Sequence, residues 1–123
     1  MEDRRIPDSR ITVSSFKPCL YYGPTNARLN RCAGGGTTGA WKAGSKALPQ
    51  WIQVNFSMTK NVSGVVLQGR DNSNQWVTHY KVQYGNGNGT LLDVMNQQNQ
   101  DVMVRYDSII HIYTPVHYLL AVT

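Results

Sequence analysis

Residues 77–84 read Val-Thr-His-Tyr-Lys-Val-Gln-Tyr, and residues 51–56 read Trp-Ile-Gln-Val-Asn-Phe. In the first stretch Tyr80, Val82 and Tyr84 fall on one phase and Lys81 and Gln83 on the other. In the second, Ile52, Val54 and Phe56 share a face opposite Trp51, Gln53 and Asn55. Successive side chains of an extended backbone point to opposite faces, so a period of two predicts half-buried β-strands. Working outward, Ile11-Thr-Val13, residues 62–68, Val102-Met-Val-Arg105 and Ile109 to Tyr113 predict further strands. The run from Val62 is nearly continuous in apolar residues, as in a strand buried on both faces. Turn-rich stretches separate these runs: Gly34-Gly-Gly36, Asp71-Asn-Ser-Asn74 and Gly85-Asn-Gly-Asn-Gly89. The last lies between a strong strand and an apolar pair, where a hairpin connection is expected. No segment carries a 3.6-residue apolar stripe with caps at both ends. Short strands joined by Gly-rich turns predict an all-β antiparallel sandwich or barrel.

At 123 residues the chain is expected to form one domain over 1–123, with a modest core. Its hydrophobic content of 41% and charged content of 15% fit neither a disordered polycation nor a membrane protein. No apolar run approaches the length of a transmembrane helix, and Met1–Arg10 lacks the apolar segment of a signal peptide. The net charge of +5 is unevenly placed. Residues 1–46 hold Arg4, Arg5, Arg10, Lys17, Arg28, Arg31, Lys42 and Lys46 against Glu2, Asp3 and Asp8, whereas residues 47–123 are neutral. A basic half suits an anionic partner such as phospholipid headgroups, sulfated glycan or nucleic acid, or it serves solubility alone. Cys19 and Cys32 leave the redox compartment open. The sequons at Asn55, Asn61 and Asn88, although short motifs, favour an extracellular setting.

The titratable groups do not converge as catalysis requires. There is one Glu, at position 2, and no closely spaced carboxylate pair. His79, His111 and His117 have no ligand partner at zinc spacing beyond the loose gap between the last two. Gly85–Gly89 lacks the Lys-Ser/Thr and helix of a phosphate-binding loop. Neither an enzyme nor a cofactor or metal site is expected, although calcium dependence stays open because no dense acidic loop is present. Phe16-Lys-Pro-Cys-Leu-Tyr-Tyr22 interleaves rings with a base, but in a loop rather than on a sheet face, so nucleic acid is not the expected partner. A binding module is what remains.

Six blocks in order carry a specific resemblance: Ile6–Ser15, Gly23–Asn30, Gly39–Gly44, Gln50–Asn55, Val62–Arg70 and Trp76–Tyr84. Together they resemble the discoidin domain, also called the coagulation factor V/VIII type C domain, strongly from Ile6 to Tyr84 and weakly to about Tyr118. The resemblance implies a distorted antiparallel jelly-roll barrel of about eight strands. It also implies that loops at one end bind phospholipid, carbohydrate, collagen or other proteins. On that basis the chain is expected to be an extracellular or cell-surface adhesion module for anionic phospholipid headgroups or carbohydrate. Alternatives are a collagen-type or receptor-binding protein module, and an accessory binding domain of a larger secreted enzyme. The expected ligand loops comprise Phe16, Lys17, Leu20, Tyr21 and Tyr22 in the first, Lys46 in the second, and Arg70, Asp71 and Asn72 in the third.

Each assignment has a plainer counterpart. One or two of the first-loop rings either wedge into a ligand or close the barrel mouth, and Arg70 either contacts an anion or pairs internally with Asp8 or Asp71. Trp41, Trp51 and Trp76 are expected to pack. The family's bracketing cysteines are missing and Lys42 stands where many members have Cys. Cys19 and Cys32 either staple the first loop as a disulfide or remain free thiols. Thr114–Leu119 resembles the stretch that precedes the family's last strands. The sequence therefore predicts a domain truncated at its C-terminus, and slightly at its N-terminus, within a larger protein.

Overall fold

A computed structural model describes residues 4–62, 64–78, 80–85, 89–94 and 115–122, with backbone course alone for Leu20 and for 115–122. The described residues are all-β, with seven strands: β1 (Ile11–Val13), β2 (Ala33–Gly34), β3 (Thr37–Thr38), β4 (Trp51–Asn61), β5 (Lys81–Gly85), β6 (Leu92–Asp93) and β7 (Pro115–Val122). Three single 3-10 turns, Asp8–Arg10, Leu20–Tyr22 and Pro24–Ala27, lie in the first 27 residues. Pro24 opens the last of them, where its fixed φ suits a helical turn and its missing N–H costs nothing. Five strands form one antiparallel sheet in the order β1-β4-β7-β5-β6, and β2 and β3 form a separate hairpin. Among the described residues these sheets do not close into a barrel.

The period-two reading of 51–56 matches β4; that of 77–84 matches β5 from Lys81 on, with Tyr80 in a bridge and Val77 and Thr78 outside the strand. Val54 is buried opposite Ile11 of β1, and Val82 is buried between β7 and Val94, whose N–H donates to the Val82 carbonyl. Tyr80, Val82 and Val94 form a core cluster against which Val62, Val65, Leu67, Val77 and Tyr84 pack. The Gly85–Gly89 segment joins β5 to antiparallel β6, as a hairpin connection should. Gly89 has φ +85°, a conformation that favours glycine.

Two expectations change. The described residues of 62–68 do not form a strand; among them Val65 alone makes a bridge, while Val66 faces solvent. The apolar run there reflects packing onto the core cluster rather than backbone pairing. The segment from Pro115, taken in the sequence as preceding the last strands, is itself the central strand β7, paired to β4 on one side and β5 on the other. The strands expected at 102–105 and 109–113, and His79 and His111, lie outside the described residues, as does the side chain of His117.

The sheet register decides where the loops meet. Val13 pairs with Ile52, and one step further Ser14 N–H donates to the Trp51 carbonyl at 2.9 Å while Trp51 N–H donates to Ser14 Oγ at 3.0 Å. The chain leaving β1 and the chain entering β4 are thereby held side by side at one end of the sheet.

Candidate functional site

From that fixed pair the first loop (residues 14–30) and the second (42–49) run on together. Gln50 Oε1 accepts from the hydroxyls of Ser14 and Ser15, at 2.8 and 2.6 Å. Ser15 also accepts the Gly44 N–H at Oγ (3.0 Å) and the Trp41 indole N–H at its carbonyl (2.9 Å). Lys17 N–H donates to the Lys42 carbonyl at 3.0 Å, and Lys42 N–H to the Tyr22 carbonyl at 3.3 Å. Position 44 must be glycine for this approach, because a Cβ there would lie 2.9 Å from the Phe16 carbonyl oxygen.

The zipper gathers charge around one ring. Lys17 Nζ, Lys42 Nζ and Arg70 Cζ lie 5.6, 5.7 and 5.7 Å from the centroid of the half-buried Tyr22 ring. A cation over an aromatic face gains on the order of 0.5–1 kcal/mol at an exposed site. Any two of the three cations therefore lie within about 11 Å of each other, a cluster of like charge drawn from three loops. No carboxylate pairs with any of them among the described residues. Arg70 is held from behind by its Nη1 bond to Gln75 Oε1 (2.8 Å) and by the Arg70 N–H to Gln75 carbonyl bond (2.9 Å) that closes the third loop. Its Nε is buried and has no partner among the described residues. The internal ion pair allowed for Arg70 is not made. Asp71 Oδ2 instead accepts the Ala33 N–H at 2.8 Å, and Asp8 pairs with Arg28.

The other expected residues divide. Phe16 and Tyr21 are 42% and 49% exposed, so neither closes the barrel mouth. Tyr21 is flanked by the β2–β3 turn at Gly36. Leu20 sits in the Leu20–Tyr22 turn, and Lys46 is exposed on the second loop beside Leu48. Asn72, exposed at φ +53°, donates to Asp71 Oδ2 at 3.3 Å. Cys19 and Cys32 are both free thiols, so the disulfide staple is not formed. Asn55 is half-buried within β4 with its Oδ1 accepting the Ser57 N–H, an unfavourable glycan acceptor, whereas Asn61 is exposed at the strand's end. Asn88 lies outside the described residues.

Two buried polar residues were not legible as structural. Arg28, grouped by sequence with the basic end, is buried and donates to Asp8 Oδ1 and to the Ile6 carbonyl (2.8 Å). It anchors the base of the first loop rather than facing a ligand. Asn26, 4% exposed, donates to the Tyr21 carbonyl (3.0 Å) and accepts from Thr37 Oγ1 (2.6 Å) and Arg31 Nε (3.3 Å), tying the hairpin and Arg31 to the first loop. Trp76, expected to pack, is 52% exposed at the rim of an open depression of about 340 Å³. Gln68, Arg70, Asp71, Asn72 and Asn74 share that lining.

An antiparallel scaffold that brings rings and cations from three loops to one end is the architecture of a ligand-binding module. The chain belongs to the F5/8 type C domain family, whose model matches residues 10–116. It is 39% identical over 89 residues to coagulation factor V of Mus musculus, 35% over 94 residues to hemocytin of Bombyx mori, and 34% over 91 residues to lactadherin of Sus scrofa. Those matches cover 68%, 76% and 68% of this chain but 4%, 3% and 22% of the relatives, so the chain spans a small part of each. Its fold is similar to that of discoidin II from Dictyostelium discoideum, with TM-score 0.76 at 19% identity over 91% of this chain and 47% of that one. It is also similar to the family 32 carbohydrate-binding module of C. perfringens NanJ, solved in complex with galactose, with TM-score 0.57 at 24% identity over 95% of this chain and 84% of that one.

Proposed function

We propose that this domain is an extracellular or cell-surface recognition module that binds an anionic ligand, a phospholipid headgroup or an acidic carbohydrate, through its three apposed loops. One observation carries the reading: Lys17, Lys42 and Arg70 surround Tyr22, and no carboxylate pairs with them among the described residues. An anion entering this cluster meets positive charge from three loops and gains charge-assisted hydrogen bonds, the stronger kind. The exposed rings of Phe16 and Tyr21 beside it add apolar contact at a wet interface. The family and its galactose-bound structural neighbour are consistent with a binding rather than a catalytic role.

The test compares wild type with Lys17→Ala/Lys42→Ala and Tyr21→Ala/Tyr22→Ala on phosphatidylcholine vesicles with and without phosphatidylserine, and on arrays of acidic and neutral glycans. Binding that is selective for anionic probes, weakened by salt and lost in both folded variants is expected. Variants that bind as well as wild type would refute the site.

A further inference from the structure

Strand β4 changes character along its length. Its first half is clasped on both sides, by β1 through Ile52–Val54 and by β7 through Trp51–Asn55. The register with β7 shifts between Asn55 and Lys60, and no strand pairs with 57–61 on the β1 side among the described residues. All five residues from Ser57 to Asn61 are exposed. Two sequons start on this one strand, Asn55-Phe-Ser57 in the clasped half and Asn61-Val-Ser63 at the far end. Their surroundings are opposite. Asn55 is half-buried, pairs with Tyr118 in the ladder, and its Oδ1 accepts the Ser57 N–H at 2.8 Å. Asn61 is exposed, is the last residue of β4, and stands opposite Pro115, whose nitrogen has no hydrogen to extend the ladder.

Resting on the extracellular placement proposed above, we infer that Asn61 is the acceptor of an N-linked glycan and that Asn55 is not. In the transfer, Asn61 Nδ2 attacks the anomeric carbon of a lipid-diphosphate-linked oligosaccharide. The new C–N bond replaces the C–O bond to the diphosphate, which leaves with that bond's electron pair. Nδ2 gives up one proton to a base of the transferase, and nothing is oxidised or reduced. An N-glycan is bulky and solubilising, so the folded chain accommodates it where the asparagine faces water. Asn61 already does. At Asn55 the glycan would branch from a half-buried amide and displace the neighbours that cover it. The position also separates the glycan from the proposed binding site. Trp51 lies at the loop end of β4, held against Ser14, and ten residue steps of about 3.3 Å put Asn61 about 30 Å away. The glycan therefore leaves the domain at the end remote from the Tyr22 cluster and keeps the three loops free.

Expression of the full chain behind an added secretion signal in animal cells tests this. The secreted chain should show a mobility shift that peptide-N-glycosidase removes. Peptide mass spectrometry should then find aspartate at position 61, where the glycan was, and asparagine still at position 55. Asn61→Gln and Ser63→Ala should each lose one glycan's shift, whereas Asn55→Gln should keep the wild-type shift. The wild-type peptide map decides even where a variant is not secreted. Binding to phosphatidylserine vesicles should stay within about two-fold when the glycan is removed. No glycan on the peptide that contains Asn61, or a glycan at Asn55, overturns the acceptor assignment. Vesicle binding that strengthens by more than that on deglycosylation overturns the placement away from the loops. A chain that carries the glycan at Asn61 but binds no anionic probe in either form leaves the glycan standing and overturns the binding role instead. An endogenous chain that fractionates unmodified with the cytosol overturns the extracellular placement and the modification with it.

Discussion

The root of the paired loops and the tip of the second loop lie a few residues apart and are built differently. At the root, backbone bonds between Lys17, Lys42 and Tyr22, and the Ser15 contacts to Trp41 and Gly44, tie the two loops together. At the tip, residues 45–49 bond mainly to themselves and to Gln50: Ala47 N–H donates to Ser45 Oγ (3.1 Å) and Gln50 Nε2 to the Ala47 carbonyl (2.6 Å), while Leu48 is 78% exposed. Fixing a side chain on binding costs conformational entropy, so cations already arranged by the fold bind an anion at lower cost than those on a free tip. Lys42 and Lys46 are the same residue type four positions apart, yet only Lys42 lies over the Tyr22 ring with its backbone bonded to the first loop, among the described contacts.

The largest effect on stability is expected at the support beneath this arrangement. Arg28→Met should lower it by about 2 kcal/mol, since it removes the buried guanidinium's hydrogen bonds to the Ile6 carbonyl and to the largely exposed Asp8. Urea denaturation reads the loss, and an unchanged midpoint with weakened binding would instead make Arg28 a ligand contact. Next, Lys17→Ala/Lys42→Ala should weaken an anionic ligand about 100-fold, close to 2.7 kcal/mol. Lys46→Ala should cost less than about three-fold, as an exposed charge on an unanchored tip does. Equal losses in the two variants would erase the distinction between root and tip. Gly44→Ala sharpens it further: pushing the second loop off the Phe16 carbonyl should cost about 1–2 kcal/mol and weaken binding with the cations still present.

The smallest effect lies away from the site. Burial pushes the Tyr80 hydroxyl above its ordinary pKa of 10.0, and that hydroxyl has no partner among the described residues. The folded state favours the neutral phenol, so this contribution to stability is whole below pH 10.0 and falls as pH rises past it. Tyr80→Phe should change stability at neutral pH by less than about 1 kcal/mol and flatten the alkaline decline seen by denaturant titration.

Strand faces were legible because burial imposes a period of two, and Ile11, Val54, Tyr80 and Val82 all lie where that period puts them. The run from Val62 misled because packing against a core and pairing in a sheet select the same residues. β7 was illegible from local signals, since its place at the sheet centre is set by partners about sixty residues away on β4 and about forty away on β5. Within the site, the rings and bases of the first loop stood out by type, and Arg70 by resemblance. Which of the bases are structural depended on non-local pairing. Asp8 is twenty residues from Arg28, and only folding shows that it takes Arg28 rather than Arg70. Trp76 and Asn26 carried no sign of their exposure or burial in their own neighbourhoods.

The central claim is that the cations around Tyr22, and not the basic half at large, receive the anion. An NMR titration of the isotope-labelled chain with a heparin-derived tetrasaccharide tests it most directly. Saturable shifts should concentrate at Lys17, Tyr22, Lys42 and Arg70 and be small at Lys46, Arg10 and Lys60. Shifts spread evenly over the basic residues without saturation, or centred on Lys46, would contradict it.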